Sequence, residues 1–179
     1  MATYENRGSE DPYVRLARAS VEKYIRTGSV LEMPEGFPPE MTGRRAGVFV
    51  SIHENGMLRG CIGTIQACTD SVACEIIDNA VSASTRDPRF ERIGVNELES
   101  LEISVDVLGD AERISSTEEL DPKRYGVIVT KGMRRGLLLP DLEGVDSALQ
   151  QVSIAMQKAG IPAGTEGVEL ERFEVVRHY

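Results

Sequence analysis

Residues 47–64 read GVFVSIHENGMLRGCIGT, and their register decides how the fold begins. Strand-like stretches at residues 47–53 and 57–64 flank Glu54-Asn55-Gly56, so the chain doubles back as an antiparallel hairpin. Two loops fit. A two-residue Asn55-Gly56 turn pairs Glu54 with Met57 and places Val50, Ile52, Arg59 and Cys61 on one face. A three-residue loop with Gly56 in the left-handed region pairs His53 with Met57 and Phe49 with Cys61. A one-residue slip moves a whole strand's side chains to the other face. Only the three-residue loop gives a uniformly apolar face of Val48, Val50, Ile52, Leu58, Gly60 and Ile62. It leaves Phe49, Ser51, His53, Met57, Arg59 and Cys61 on the other, and it is the register expected.

Outward from the hairpin, punctuation marks the remaining elements. Upstream, Asp11 and Pro12 open a helix with Tyr13, Leu16, Ala17, Val21, Tyr24 and Ile25 at helical spacing, and Gly28 stops it. The Pro- and Gly-rich residues 29–45 read as a surface loop. Downstream, Thr69-Asp70-Ser71 starts a helix that Asp87-Pro88 ends. Leu101, Ile103, Val105 and Val107 alternate with polar residues as a half-buried strand. Residues 115–120 predict a short helix, and residues 125–130 and 136–139 a second hairpin around residues 131–135. Asp146 caps a third helix with Leu149, Val152, Ala155, Met156 and Ala159 inward, and residues 168–176 form the last strand. No internal repeat is visible. Hairpins with interleaved helices predict an α+β fold, an antiparallel sheet with flanking helices. Residues 1–10 read as a mobile tail, and residues 11–179 as a single domain.

The 179 residues carry a net charge of −9, which opposes broad binding to nucleic acid or anionic lipid. Apolar residues at 41% and charged residues at 27% are ordinary globular usage. No run is long enough to span a membrane, and Met1 to Glu10 lack a signal-peptide core. Three cysteines without paired spacing fit a reducing, cytoplasmic setting.

Cys61 between Gly60 and Gly63 is the densest chemical signal, because flanking glycines let a ligand approach the strand. In the expected register Arg59 points the same way and would favour thiolate over thiol, with Ser51 directly across from Arg59. The competing reading is a small buried cysteine whose glycines serve packing. His53 shares the face but lies four strand-pair steps from Cys61, too far for a dyad. Cys61, Cys68 and Cys74 lack the tight spacing of zinc ligands, so no metal is implied. Arg86, Arg89 and Arg92, and likewise Arg134 and Arg135, are clusters that would hold a small anionic group, unless Asp87 pairs with a neighbouring arginine. No phosphate-cradling glycine motif occurs, so no cofactor is implied. No acidic residue stands out in an apolar run as a tuned acid would.

Taken in order, LRGCIGT at 58–64, DPRF at 87–90, the strand around ISVDVL, YGVIVTKGMRRGLLLP and QKAGIP resemble the AMMECR domain family, in the form belonging to AmmeMemoRadiSam systems. The likeness runs from about residue 12 to residue 176. Members often carry tryptophans after the KAGL and LLLP segments. This chain has no tryptophan, and Asp141-Leu142-Glu143-Gly144 departs from the common pattern, so the surface near residues 141–166 is expected to be atypical. The resemblance implies a two-lobed fold and association with a Memo-like protein and a radical SAM enzyme. It hands over no reaction. It marks Arg59, Gly60, Cys61 and Gly63 as the hallmark positions. Three functional classes follow: a Cys61-centred enzyme component with Arg86, Arg89 or Arg135 holding an anionic molecule or peptide, a non-catalytic adaptor, and, disfavoured by charge, a nucleic-acid binder.

Overall fold

A computed structural model describes residues 11–179; the expected tail at residues 1–10 lies outside them. Asp11 accepts from the Tyr13 N–H at 2.8 Å, Pro12 takes the first helical position, and Gly28 at φ 72° closes helix α1 (Pro12–Thr27). The loop that follows holds one short helix, α2 (Pro39–Thr42), because Met41 is drawn fully into the core.

Strands β1 (Val48–Glu54) and β2 (Met57–Gly63) correct the expected register. Glu54 pairs with Met57, so the turn is the two-residue Asn55-Gly56, with both residues at positive φ (52° and 76°). Asparagine tolerates that conformation, and this kind of turn matches the natural strand twist. The register then shifts by one, from His53–Leu58 to Ile52–Gly60, across a β-bulge at Arg59. The bulge restores the apolar face that the turn alone would have destroyed. Val48, Val50 and Ile52 are fully buried there, beside Gly60 and Ile62.

Ser71 caps helix α3 (Val72–Thr85), accepting from the Cys74 N–H, and the chain returns as strand β3 (Leu101–Leu108) beside β1. The first sheet has the order β2-β1-β3-β8, where β8 is Val175–His178. Its core joins α1, α3 and the inner faces of β1 and β3.

The second sheet has the order β4-β7-β5-β6, from β4 (Glu112–Ile114), β5 (Gly126–Lys131), β6 (Arg134–Leu138) and β7 (Glu169–Phe173). Its hairpin is tighter than the spacing predicts. Lys131 pairs with Arg134 across Gly132-Met133, with Gly132 at φ 59°. The short helix expected at residues 115–120 is a single 3₁₀ turn, Thr117–Glu119, and the last strand is broken at Glu174 into β7 and β8. Ser147, not Asp146, caps helix α4 (Ala148–Lys158), which is rotated so that Gln151 and Ala155 are buried and Leu149 is 71% exposed. A separate core gathers Val127, Val129, Leu138 and Ala155. Contacts accordingly divide the chain into one unit that ends at Val107 and takes in Arg177–Tyr179, and a second of Leu108–Val176.

The two sheets share one topology, which overturns the expectation of no repeat. Each is a hairpin, a helix and a return strand antiparallel to the first hairpin strand, giving β2-β1-β3 and β6-β5-β7. The fourth strands are exchanged: β4 follows β3 in sequence but joins the second sheet, and β8 follows β7 but joins the first.

Candidate functional site

Side chains alternate along β2, so Gly60 and Cys61 face opposite ways. A Cβ on Gly60 would lie 2.1 Å from the Ala83 carbonyl oxygen of α3. Its missing side chain therefore serves the approach of helix to sheet. Gly63 lies beneath the Phe49 ring, 2.2 Å from where its Cβ would stand, and is likewise filled. Cys61 is half-buried on the sheet face away from α3. The bulge brings Ser51 directly across from Cys61 rather than Arg59, and the Ser51 hydroxyl donates to the thiol sulfur at 3.3 Å. His53 lies two positions beyond Ser51 on the same face, a diagonal neighbour of Cys61 instead of four steps away. Diagonal cross-strand pairs are about 7–8 Å apart. Ser104 and Glu102 on β3, opposite Ser51 and His53, complete a polar strip.

Arg59 does not turn toward the thiol. Its guanidinium grips Glu97, Nε to Oε2 at 2.8 Å, and donates to the Glu91 and Arg92 carbonyls. The bulged residue has been re-aimed as a latch for the segment after α3, and its bonds hold the Glu97 carboxyl below the usual range against the opposing effect of burial. The cation beside Cys61 is Arg89, which donates to the Cys61 carbonyl at 3.4 Å. Asp87, with its side chain 2% exposed, accepts from the Cys61 N–H at 2.9 Å and from Arg89 at 2.7 and 3.0 Å. The Arg89 bonds outweigh burial and, with the Cys61 N–H, bring the Asp87 carboxyl down to about 2.

That shift predicts a stability effect. Asp87→Asn is expected to cost about 2 kcal/mol at neutral pH in urea unfolding. The contribution is full above the ordinary aspartate range and is lost as pH falls toward 2, so the wild-type acid limb in that window should flatten in the variant.

A second polar cluster was missed. Glu75 stands in the apolar run Val72-Ala73-Cys74-Glu75-Ile76-Ile77 and is 1% exposed. It accepts from the hydroxyls of Thr64 and Thr69 and from the N–H groups of Cys68 and Thr69, at 2.6 to 3.0 Å. Burial pushes its carboxyl up, but these four bonds prevail and hold it low. Asn79 joins in, bonding the Val48 carbonyl and Thr64. The signal that could have found Glu75 is its place one helical turn before Asn79, inside an otherwise apolar stripe. Both its oxygens are satisfied as acceptors, so it anchors the loop after β2.

Arg86 is exposed at the end of α3. Arg135 lies in the second unit, where it pairs with Glu171 at 3.1 Å. Among the described residues, no three of His, Cys, Asp and Glu converge as a metal site needs, and no helix is long and apolar enough to cross a membrane.

The family model described as AMMECR1 matches residues 14–178. A protein of Thermotoga maritima is 50% identical over 170 residues, covering 94% of this chain and 98% of that protein. A protein of Clostridium acetobutylicum is 50% identical over 177 residues, covering 98% of this chain, but the chain spans only 37% of it. The crystal structure of an uncharacterized protein, PH0010 from Pyrococcus horikoshii, aligns with a TM-score of 0.85 at 30% identity over 92% of this chain and 88% of that one. With its two antiparallel sheets, its paired hairpin–helix units and this coverage, the chain belongs to the AMMECR1 family.

Proposed function

We propose that the open face of the first sheet is the working surface, with Cys61 as the centre that meets a small anionic molecule or peptide. The observation that supports this most is the half-buried thiol that receives the Ser51 hydroxyl on a face not covered by α3. A donated hydroxyl and a nearby guanidinium both stabilise negative charge developing on sulfur. Arg89 takes the role first given to Arg59, and Arg86, exposed and next to the buried Asp87, is the cation that would meet the anion. His53 is the imidazole on that face. Gly60, Gly63 and Arg135 drop out of the site in this reading. The setting is a reducing cytoplasm, where all three cysteines stay free, and the working partners are a Memo-like protein and a radical SAM enzyme.

The test is competitive alkylation with iodoacetamide, followed by peptide mapping. Cys68 is the more exposed thiol and serves as an internal standard. Cys61 is expected to react faster than Cys68 in the folded protein, and inorganic phosphate or a small dicarboxylate should slow it selectively. A Cys61 rate no greater than that of Cys68 would sink the reactive-centre reading. The second reading, a binding module without chemistry of its own, is favoured by the Clostridium relative, in which this whole chain corresponds to 37% of a longer protein. It wins if Cys61→Ala preserves partner binding and complements a deletion strain fully.

A further inference from the structure

The repeated topology allows the two units to be compared position by position. Gly60 faces Ile52 and presses on Ala83 of α3; Gly136 faces Val129, and its Cβ would lie 2.5 Å from the Ala155 carbonyl oxygen of α4. The local sequences agree as well. Gly56-Met57-Leu58-Arg59-Gly60 matches Gly132-Met133-Arg134-Arg135-Gly136, and the aligned arginines, Arg59 and Arg135, each pair with a glutamate, Glu97 and Glu171. Equating Ala83 with Ala155 sets Ile77, Ala80, Val81 and Ser84 of α3 against Leu149, Val152, Ser153 and Met156 of α4.

Those two helix faces differ sharply in cover. In the first unit all four positions are 4% exposed or less. Helix α1 packs against α3, and the segment after α3 bonds back through the Ile93 N–H to the Ser84 carbonyl. Among the described residues of the second unit, α4 is the only α-helix, and its corresponding face is open. That face and residues 160–164 form a groove of about 610 Å³, with Leu149, Val152, Met156, Ile161 and Pro162 among its lining and no charged side chain in it.

One cation, Arg134, borders the groove, and a second, Lys131, bonds the chain just beyond its lining. Arg134 bonds the Gly160 carbonyl at 2.8 Å, and Lys131 bonds the carbonyls of Glu166 and Gly167. Among the described residues neither meets a carboxylate, so their charge is not neutralised, in a chain whose net charge is −9.

We propose that this groove docks an amphipathic helix of a partner protein, apolar side chains at helical spacing seated on Leu149, Val152 and Met156 and carboxylates facing Arg134. The first unit shows what covers this face of the repeated element, namely a helix packed on a helix. Charge complementarity fixes the flank of that helix as acidic and speeds its approach. The assignment stands independently of Cys61.

The test is selection from a displayed library of helical peptides of about four turns against the full chain, followed by fluorescence polarisation with the best synthetic peptide. Selected peptides are expected to carry apolar residues three and four apart with Asp or Glu alongside. Leu149→Asp should weaken binding about tenfold or more, as loss of a buried anchor does, and Leu149→Met should not. Arg134→Glu should weaken acidic peptides and favour their lysine counterparts. Leu149 is exposed, so an unchanged unfolding midpoint in Leu149→Asp separates lost binding from lost structure. The proposal falls if peptides bind equally to Leu149→Asp, if selected peptides are basic or have no helical pattern, or if sedimentation shows that the groove is closed by a second copy which Leu149→Asp dissociates.

Discussion

Gly60→Ala is expected to destabilise the protein by about 3 kcal/mol or more, and much of the expressed chain should be insoluble. The added methyl would stand 2.1 Å from the Ala83 carbonyl oxygen and 3.1 Å from its carbon. Those atoms belong to a helix backbone, which cannot swing aside as a flexible side chain can. Either α3 lifts from β1 and β2, opening a core in which Ile52, Ile76 and Ala80 are fully buried, or β2 bends away at its bulge. Domains are stable by only about 5–15 kcal/mol, so such a loss is a large fraction of the whole. Gly136→Ala makes the informative comparison. Its methyl would meet the Ala155 carbonyl at 2.5 Å and the Ala159 side chain at 2.8 Å, so a similar loss is expected, confined to the second core. Urea unfolding followed by hydrogen exchange distinguishes the two variants.

The second large effect is at Glu75. Glu75→Ala is expected to cost about 3 kcal/mol or more, because it leaves the Thr64 and Thr69 hydroxyls and two backbone N–H groups without their common acceptor. Asn79 would still hold Thr64 and the Val48 carbonyl, so the loop after β2 should loosen more than the strands. Glu75→Gln keeps the shape but offers only one acceptor oxygen, and about half the loss is expected. The pH dependence separates charge from shape. The carboxyl is held below the usual glutamate range, so its contribution is full above that range and is lost as pH falls through its lowered value. Wild-type stability should therefore decline in acid more steeply than that of Glu75→Gln. Equal acid limbs would show that the ionised form contributes nothing.

Much of the framework is legible in the chain, since it is written in local chemistry. Asp11-Pro12 and Gly28 set the ends of α1, and Ser71 and Asp87-Pro88 bound α3. The alternation from Leu101 to Val107 gives β3. The bulge was not legible. Parity of the apolar face demanded an odd loop, and Asn55-Gly56 demanded an even one. The chain satisfies both by displacing Arg59, a solution that depends on Glu97, thirty-eight residues away. That one residue decides the candidate site, because it replaces Phe49 with Ser51 opposite Cys61 and brings His53 closer. The AMMECR likeness identified the hallmark segment, but the structure divides its positions. Gly60 and Arg59 hold the fold together, Gly63 makes room for the Phe49 ring, and Cys61 faces the polar strip. Glu75 escaped notice because a carboxylate on a helix is usually solvated, and only the loop folding over it supplies its donors. Periodicity points Leu149 inward because an open apolar groove and a covered core have the same pattern.

The exchange of β4 and β8 between sheets has a consequence for biosynthesis. The edge of β3 is bare when β3 leaves the ribosome, and its neighbour β8 is made only after all four strands of the second sheet. A nascent chain stalled before β8 would carry an unpaired strand edge, the kind of surface that chaperones shield and aggregates recruit.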